Sequence, residues 1–547
     1  MTLSTPVDRS GQAIRVQVQN GQELTRNHPL PASPHWEGHE PDDYAQHMER
    51  YRREETGRGS IGRAAHDDDA AQDGDAAHGP MDRPTVHGLL HAFRSGAQTP
   101  TEVLKKYLDR WAVSPDTATA ILSPVNGAMQ AAAESGHRWA NGTARPLEGI
   151  PFGVKDIIDV QGAAVTCGSL QTGLRKADRD AEVIARLRAT GAIPVAMTAT
   201  TEFAMGAADN ARYGVVPNPW DRSRWTGGSS TGSAAGVAAG LFPFAVGTDT
   251  GGSIRIPAAF CGISGLKPTN GRIPRTGVAT LSWSLDHVGP MGLSASDLRL
   301  VLAAMDHPAG ALSAQEQRRI GQPNGARPLA GVVVGVLGGW HLELLDSEVD
   351  ARFTEALEIL RRLGATVKIV QTPGYDAALA HVEAWNVFYG EIAATQEANL
   401  GTVSLFDSGT RDRFEVGRRL PAIDYLRGLR RRGLVLDTLV RAMDESGVDV
   451  VVLPTAPAGA PEISNMTMSI NGTPRNIHDV LPRNTRIFDY TGLPALGVPM
   501  GLTSEGLPLS MQIAGRPWAD FDVLAVGESF QARSTFHLAM PPSHADS

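Results

Sequence analysis

An α/β protein is predicted, with a central, largely parallel or mixed, twisted sheet covered on both faces by helices and preceded by a polar extension. Three observations predict it. Apolar runs of strand length alternate with segments of helical periodicity from about residue 83 onward. Glycine, at 59 of 547 residues, exceeds the ~7% of average usage and gathers beside serines. The composition changes abruptly near residue 83.

The elements follow in order. Residues 1–82 are rich in Asp, His, Gln, Arg and Pro and poor in aliphatics, and His66 to Gly79 contains an acidic low-complexity run. That is the composition of a solvated linker, and nothing in it fixes a set of metal ligands. Asp43 to Glu54 reads as a short polar helix docking on the main body. Residues 83–547 form that body. Val86, Leu89, Leu90 and Phe93 have helical spacing, with Gly96 as the stop. Thr99-Pro100-Thr101-Glu102 opens the next helix with a capping box and proline in its first turn. Asp180 to Thr190 reads as a helix with Val183, Ile184 and Leu187 inward, followed by a strand at Ile193 to Met197. Between the glycine clusters, Ala234 to Gly240 reads as a small-residue helix and Phe244 to Gly247 as a strand. Val332 to Leu337 is a buried strand. Ser347 caps a helix that runs to Gly364, and Thr366 to Val370 is the next strand. Val448 to Leu453 is another strand, ended by Pro454.

Composition excludes several classes. A net charge of −9 argues against a nucleic-acid binder, which needs a basic face. Two cysteines, Cys167 and Cys261, make neither a disulfide framework nor a thiolate zinc site. The start lacks a basic flank and an apolar core, and no stretch reaches the ~20 apolar residues of a membrane span. A cytoplasmic protein with reduced thiols is expected, without metal or cofactor: there is no His-Glu-x-x-His and no other ligand spacing among the 16 histidines.

The chemistry sits where the glycines cluster. Thr226-Gly227-Gly228-Ser229-Ser230-Thr231-Gly232-Ser233 and Gly247-Thr248-Asp249-Thr250-Gly251-Gly252-Ser253-Ile254-Arg255 each place a serine after a glycine pair. Glycine leaves backbone N–H groups uncovered, and such groups aimed at one oxygen make an oxyanion hole. Upstream, Gly149-Ile150-Pro151-Phe152-Gly153-Val154-Lys155 puts a lysine at the end of an apolar stretch. A serine nucleophile needs a base. Lysine serves if burial keeps it neutral, although Asp156 and Asp159 nearby oppose that unless they face away.

Together these segments resemble the amidase signature family. The resemblance rests on the unbroken run from Gly227 to Pro257, with Lys155 before it. It continues through Phe260-Cys261-Gly262-Ile263-Ser264-Gly265-Leu266-Lys267-Pro268-Thr269 and returns in Thr491-Gly492-Leu493-Pro494-Ala495 and Gly506 to Arg516. It covers about residues 85 to 530. Thr231 departs from the family's usual Gly or Ala. The resemblance implies the amidase signature fold and an amidohydrolase that cleaves carboxylic amides, aryl or acyl amides, carbamates or esters. It implies Ser253 as nucleophile and Ser229, behind a cis peptide, as the relay. Lys155 is the implied base, and the backbone N–H groups of Thr250, Gly251, Gly252 and Ser253 the oxyanion hole. Ser230, Asp249 and Arg255 are implied supports.

Two other enzymes remain as alternatives. One is the glutamine-dependent amidotransferase subunit of the same family, which passes ammonia to a partner-held acyl-tRNA. The other is a Ser-His-Asp α/β-hydrolase, because Gly228-Ser229-Ser230-Thr231-Gly232 also fits G-x-S-x-G with Ser230 as nucleophile and His287 or His307 downstream. For the substrate pocket the expected residues are Met205 and Gly206, Trp385, Phe388 and Tyr389 at helical spacing, and Ile487 and Phe488. These aromatic groups, with no evident pocket cation, lead to an expected preference for apolar or aryl groups. The expected partners are a small amide substrate and water, with neither nucleic acid nor membrane, and a homodimer as the assembly to test.

Overall fold

The computed structural model describes residues 43–57, 83–114, 117–205, 208–306 and 327–542. The acidic run, Gly206 and His307 therefore lie outside the described residues. Apolar runs bounded by glycine or proline become strands because each can be buried on both faces. In spatial order the main sheet runs Ile121–Pro124, Ile193–Thr198, Pro151–Lys155, Phe244–Asp249, His287–Gly292, Ser264–Lys267, Ala495–Leu502, Pro508–Ala514, Val450–Pro454, Val333–Leu337 and Thr366–Val370. It is mixed. Pro151–Lys155 pairs in parallel with Ile193–Thr198 and with Phe244–Asp249. At the other end, Val333–Leu337 is parallel to both its neighbours. The six strands from Phe244–Asp249 to Val450–Pro454 join through antiparallel ladders. Helices flank this sheet, as the resemblance implies.

Local chemistry sets most helix boundaries. The capping box at Thr99 is reciprocal: Glu102 N–H donates to Thr99 Oγ1 at 3.2 Å, and Thr99 N–H to Glu102 Oε2 at 2.8 Å. Gly96 ends the preceding helix, Val86–Ser95, in the left-handed region. The later helix is Ser347–Arg362, and its cap is Asp346 rather than Ser347. The Asp346 carboxylate accepts from Glu348 N–H at 3.0 Å and from Asn471 N–H at 2.9 Å. The small-residue helix starts earlier than expected, at Thr231–Ala238, and is buried throughout. A Cβ on its Gly232 would sit 2.3 Å from the Ala120 carbonyl oxygen and 2.4 Å from Ala199 N, so only glycine lets this helix pack there.

The polar helix is real and docks. Asp43–Gly57 buries Met48 and Tyr51. Tyr51 donates to Asp437 Oδ1 at 2.7 Å, Tyr44 to the Thr491 carbonyl at 3.2 Å, and Trp518 Nε1 to the Met48 carbonyl at 3.1 Å. Among the described residues, no helix is long and apolar enough to cross a membrane.

Candidate active site

Lys155 is the last residue of the strand Pro151–Lys155, paired on both sides. Its side chain is fully buried. Nζ lies 2.8 Å from Ser229 Oγ and 2.7 Å from Thr248 Oγ1. Burial pulls the ammonium down from 10.5 to about 7, against the opposing charges of Asp249 and Asp286. The adjacent carboxylates do not spoil this. Asp156 accepts from Thr166 N–H at 2.9 Å and from the Thr166 hydroxyl, while Asp159 pairs with Arg175 at 2.5 Å. Strand alternation thus turns Asp156 away from the lysine.

The two serines arrive on two loops that follow adjacent structure. The Gly228–Ser229 peptide is cis, as the resemblance implies. Thr201 N–H donates to the Ser229 carbonyl at 3.2 Å, and Ser230 N–H to the Ser253 carbonyl at 3.3 Å, which stitches the loops together. Ser229 and Ser253 line the same cleft. Ser229 is buried beside the lysine, whereas Ser253 is half-buried and open to the cleft.

A buried charge cluster shapes the loop Thr250–Ser253. Asp249 accepts from Ile254 N–H at 3.2 Å, Arg255 N–H at 3.4 Å and Arg255 Nε at 3.0 Å. Arg255, fully buried, also donates to Asp489 Oδ2 at 2.8 Å, Gln512 Oε1 at 2.9 Å and the Thr485 carbonyl at 3.0 Å. The Arg255 charge holds the Asp249 carboxyl well below the usual carboxylate range despite its burial. One expected oxyanion donor is lost to this cluster. Gly252 N–H donates to Asp249 Oδ1 at 2.5 Å, because the loop wraps its own carboxylate. Thr250, Gly251 and Ser253 retain N–H groups without an acceptor among the described residues. Gly252 itself has φ +128°, and a Cβ there would meet Ile256 Cδ1 and Thr485 Oγ1, each at 2.5 Å.

Ser230 pairs with the Thr248 backbone. It is fully buried, donates to the Thr248 carbonyl at 3.2 Å and accepts from Thr248 N–H at 3.3 Å. It so positions the strand residue whose hydroxyl touches Lys155. The structure removes His287 from the α/β-hydrolase alternative; His307 lies outside the described residues. His287 Nδ1 faces the Leu285 carbonyl at 2.7 Å and Nε2 faces Asn270 at 3.3 Å, not Ser230. Burial also pushes the His287 imidazole well below its ordinary range. Thr231 spends its hydroxyl on the Ala199 carbonyl at 3.1 Å.

The cleft spans about 610 Å³, part of it open to solvent. Met205, Trp385 and Phe388 line it. Tyr389 does not; it stacks behind Trp385 with ring centroids 4.9 Å apart. Ile487 and Phe488 are core residues. Their short helix, Arg486–Thr491, turns those two inward and presents Arg486 to the cleft. The expectation of a cleft without cations is therefore corrected: Arg413 and Arg486 both line it. Arg413 donates to His478 Nδ1 at 2.8 Å and to the Met205 carbonyl. Sequence reasoning also missed Thr248, Asp286, Asp489 and Gln512. Thr248 and Gln512 lie inside quoted runs, Asp489 two residues before one and Asp286 beside His287, yet nothing local to any of them signals its part.

Comparison with known proteins decides the family. A family model described as Amidase matches residues 102–524. The chain belongs to the amidase family. A curated relative from Roseiflexus castenholzii, described as a glutamyl-tRNA(Gln) amidotransferase subunit, is 35% identical over 85% of this chain and 99% of its own length. A second protein of that description, from Thioalkalivibrio sulfidiphilus, is 33% identical over 84% and 99%. A solved structure of a vestigial protein complex tied to the origins of an s-triazine catabolic enzyme superposes with a TM-score of 0.75. It is 30% identical and covers 82% of this chain and 98% of that one.

Proposed function

We propose that the protein cleaves a carboxylic amide by acyl transfer, with Ser253 as nucleophile and Ser229 and Lys155 as a proton relay. The supporting observation is the buried contact of Lys155 Nζ with Ser229 Oγ, 2.8 Å, in a cleft that Ser253 also lines. Ser253 Oγ attacks the amide carbon as its proton passes to Ser229 and the Ser229 proton passes to Lys155 Nζ. The N–H groups of Thr250, Gly251 and Ser253 receive the tetrahedral oxyanion. The C–N bond then breaks, and the proton returns from Lys155 through Ser229 to the leaving nitrogen, without which an amine leaves poorly. Water repeats the attack on the acyl-enzyme and releases the acid. We place this chemistry in residues 83–547, with the Asp43–Gly57 helix as a brace.

A second reading is favoured by the curated relatives, which are described as parts of an amidotransferase. Their description supports a glutamine-dependent component of such an enzyme over a stand-alone hydrolase. The two share every step to the acyl-enzyme and differ in the fate of the ammonia. Both are tested by assaying the purified chain on glutamine, p-nitroanilides, aryl amides, carbamates and esters, alongside Ser253→Ala. Turnover of non-glutamine amides by the chain alone supports the hydrolase. Turnover of glutamine only, raised by a co-purifying partner, supports the amidotransferase. Unchanged turnover in Ser253→Ala rejects both.

A further inference from the structure

The cleft walls carry buried polar atoms that the relay does not use. Thr201 Oγ1, Trp225 Nε1 and Arg486 Nε and Nη1 have no hydrogen-bond partner among the described residues. All three residues line the cleft, and they are 3%, 6% and 4% exposed. Buried donors left unpaired cost free energy, so such atoms in a cleft mark what the cleft is built to receive. They stand beside both serine-bearing loops. Thr201 and Trp225 pack against Gly228, the residue before Ser229: a Cβ there would meet their side chains at 3.2 and 3.0 Å. Arg486 packs against Gly251, where a Cβ would lie 2.8 Å from Nη2.

Arg486 is held ready. Its guanidinium carbon stacks 3.4 Å from the Trp385 ring centroid and 4.6 Å from that of Phe388. Stacking occupies the faces of the guanidinium and leaves its in-plane N–H fork for an acceptor. Burial lowers it only to about 10, so it stays cationic at neutral pH. Arg413, by contrast, has spent N–H groups on Met205 and His478. His478 is held near 3 by burial and Arg413, and so is neutral. Among the described lining residues there is no Asp or Glu. The cleft thus holds two guanidinium groups, donors to spare, and no anion for an ammonium group.

We propose that Arg486 is a specificity residue which binds a carboxylate on the substrate, so that this enzyme takes small amides bearing an acidic group and lacking an ammonium group beside it. Thr201 and Trp225 receive a further acceptor of the same molecule. The inference rests on the amide-cleaving reading above and deepens it.

The test compares three matched amides by ammonia release: glutaramate, its neutral methyl-ketone isostere 5-oxohexanamide, and glutamine. The shorter and longer acid amides, malonamate to adipamate, fix the reach. The best acid amide is expected to exceed its neutral isostere by at least about 100-fold in kcat/KM, mainly through KM. Arg486→Met should reduce that ratio to about threefold or less, and Arg486→Lys should retain part of it. If Arg486→Met fails to fold, the wild type still decides. Glutarate should protect Ser253 from a fluorophosphonate, and 2,6-heptanedione at the same concentration should not. Equal turnover of acid and neutral amides overturns the proposal, as does a preference that survives Arg486→Met, faster turnover of glutamine than glutaramate, or absence of protection. Failure of the fluorophosphonate to label Ser253 at all would instead reject the amide-cleaving reading.

Discussion

Lys155 must be neutral to accept a proton, and its environment sets the pH at which it does so. The fall from 10.5 to about 7 leaves roughly half the lysine neutral at pH 7. An unperturbed side chain would be neutral in only about 3 of 10⁴ molecules. Acylation of Ser253 by a fluorophosphonate should therefore rise about 30-fold between pH 5.5 and 8, along a one-proton curve with its midpoint near 7. The same burial costs stability. The unfolded chain keeps the lysine proton up to about 10.5, whereas the folded chain releases it near 7. Between those values the unfolded state binds more protons, so stability rises with pH and the penalty is fully present below pH 7. At 1.36 kcal/mol per pKa unit that penalty is about 5 kcal/mol. Lys155→Met removes it, and should be inactive yet more stable than wild type at pH 7 by up to a few kcal/mol. Lys267, also lowered to about 7 by burial, titrates in both proteins and cancels in the comparison. The assay pairs labelling rates across pH with urea unfolding at pH 7 and 10. A flat rate profile would refute the reasoning. So would a midpoint near 10, or a Lys155→Met protein that is markedly less stable at pH 7 than at pH 10 relative to wild type.

Other substitutions probe the frame around the relay. Arg255→Met strands Asp249 and Asp489 in the interior and should cost about 3–5 kcal/mol in chemical denaturation along with all activity. Gly252→Ala forces a Cβ into Ile256 and Thr485; labelling of Ser253 should fall at least about 100-fold while circular dichroism still reports a folded chain. Tyr51→Phe removes a hydrogen bond to the half-buried Asp437 and should lower stability by about 1 kcal/mol without changing the labelling rate.

How much was legible in the sequence follows from where each signal lies. The meeting of Lys155 with Ser229, and of both serines at one cleft, could be read because the serines sit in short contiguous glycine-rich runs and the lysine ends an apolar strand. The Thr99 cap and the Gly96 stop were readable because capping involves neighbours three or four residues apart. What escaped was assembled across the chain. Asp286 tunes Lys155 from a loop 131 positions away, and Arg486, Arg413, Thr201 and Trp225 reach one cleft from four separate segments. The error at Ile487 and Phe488 turned on the rotation of a single short helix, which apolar character cannot reveal: the charged Arg486 lines the cleft and its apolar neighbours fill the core. Gly252 was misplaced among the oxyanion donors because its N–H is taken by Asp249, a residue three positions before it, through a loop closure that no spacing rule announces.

The most direct measurement is to label the protein with a fluorophosphonate, digest it and map the adduct by mass spectrometry. The account predicts one modified residue, Ser253, and no adduct when Lys155 is replaced by methionine. An adduct on Ser230 or Ser229, or undiminished labelling of Ser253 without the lysine, would contradict it.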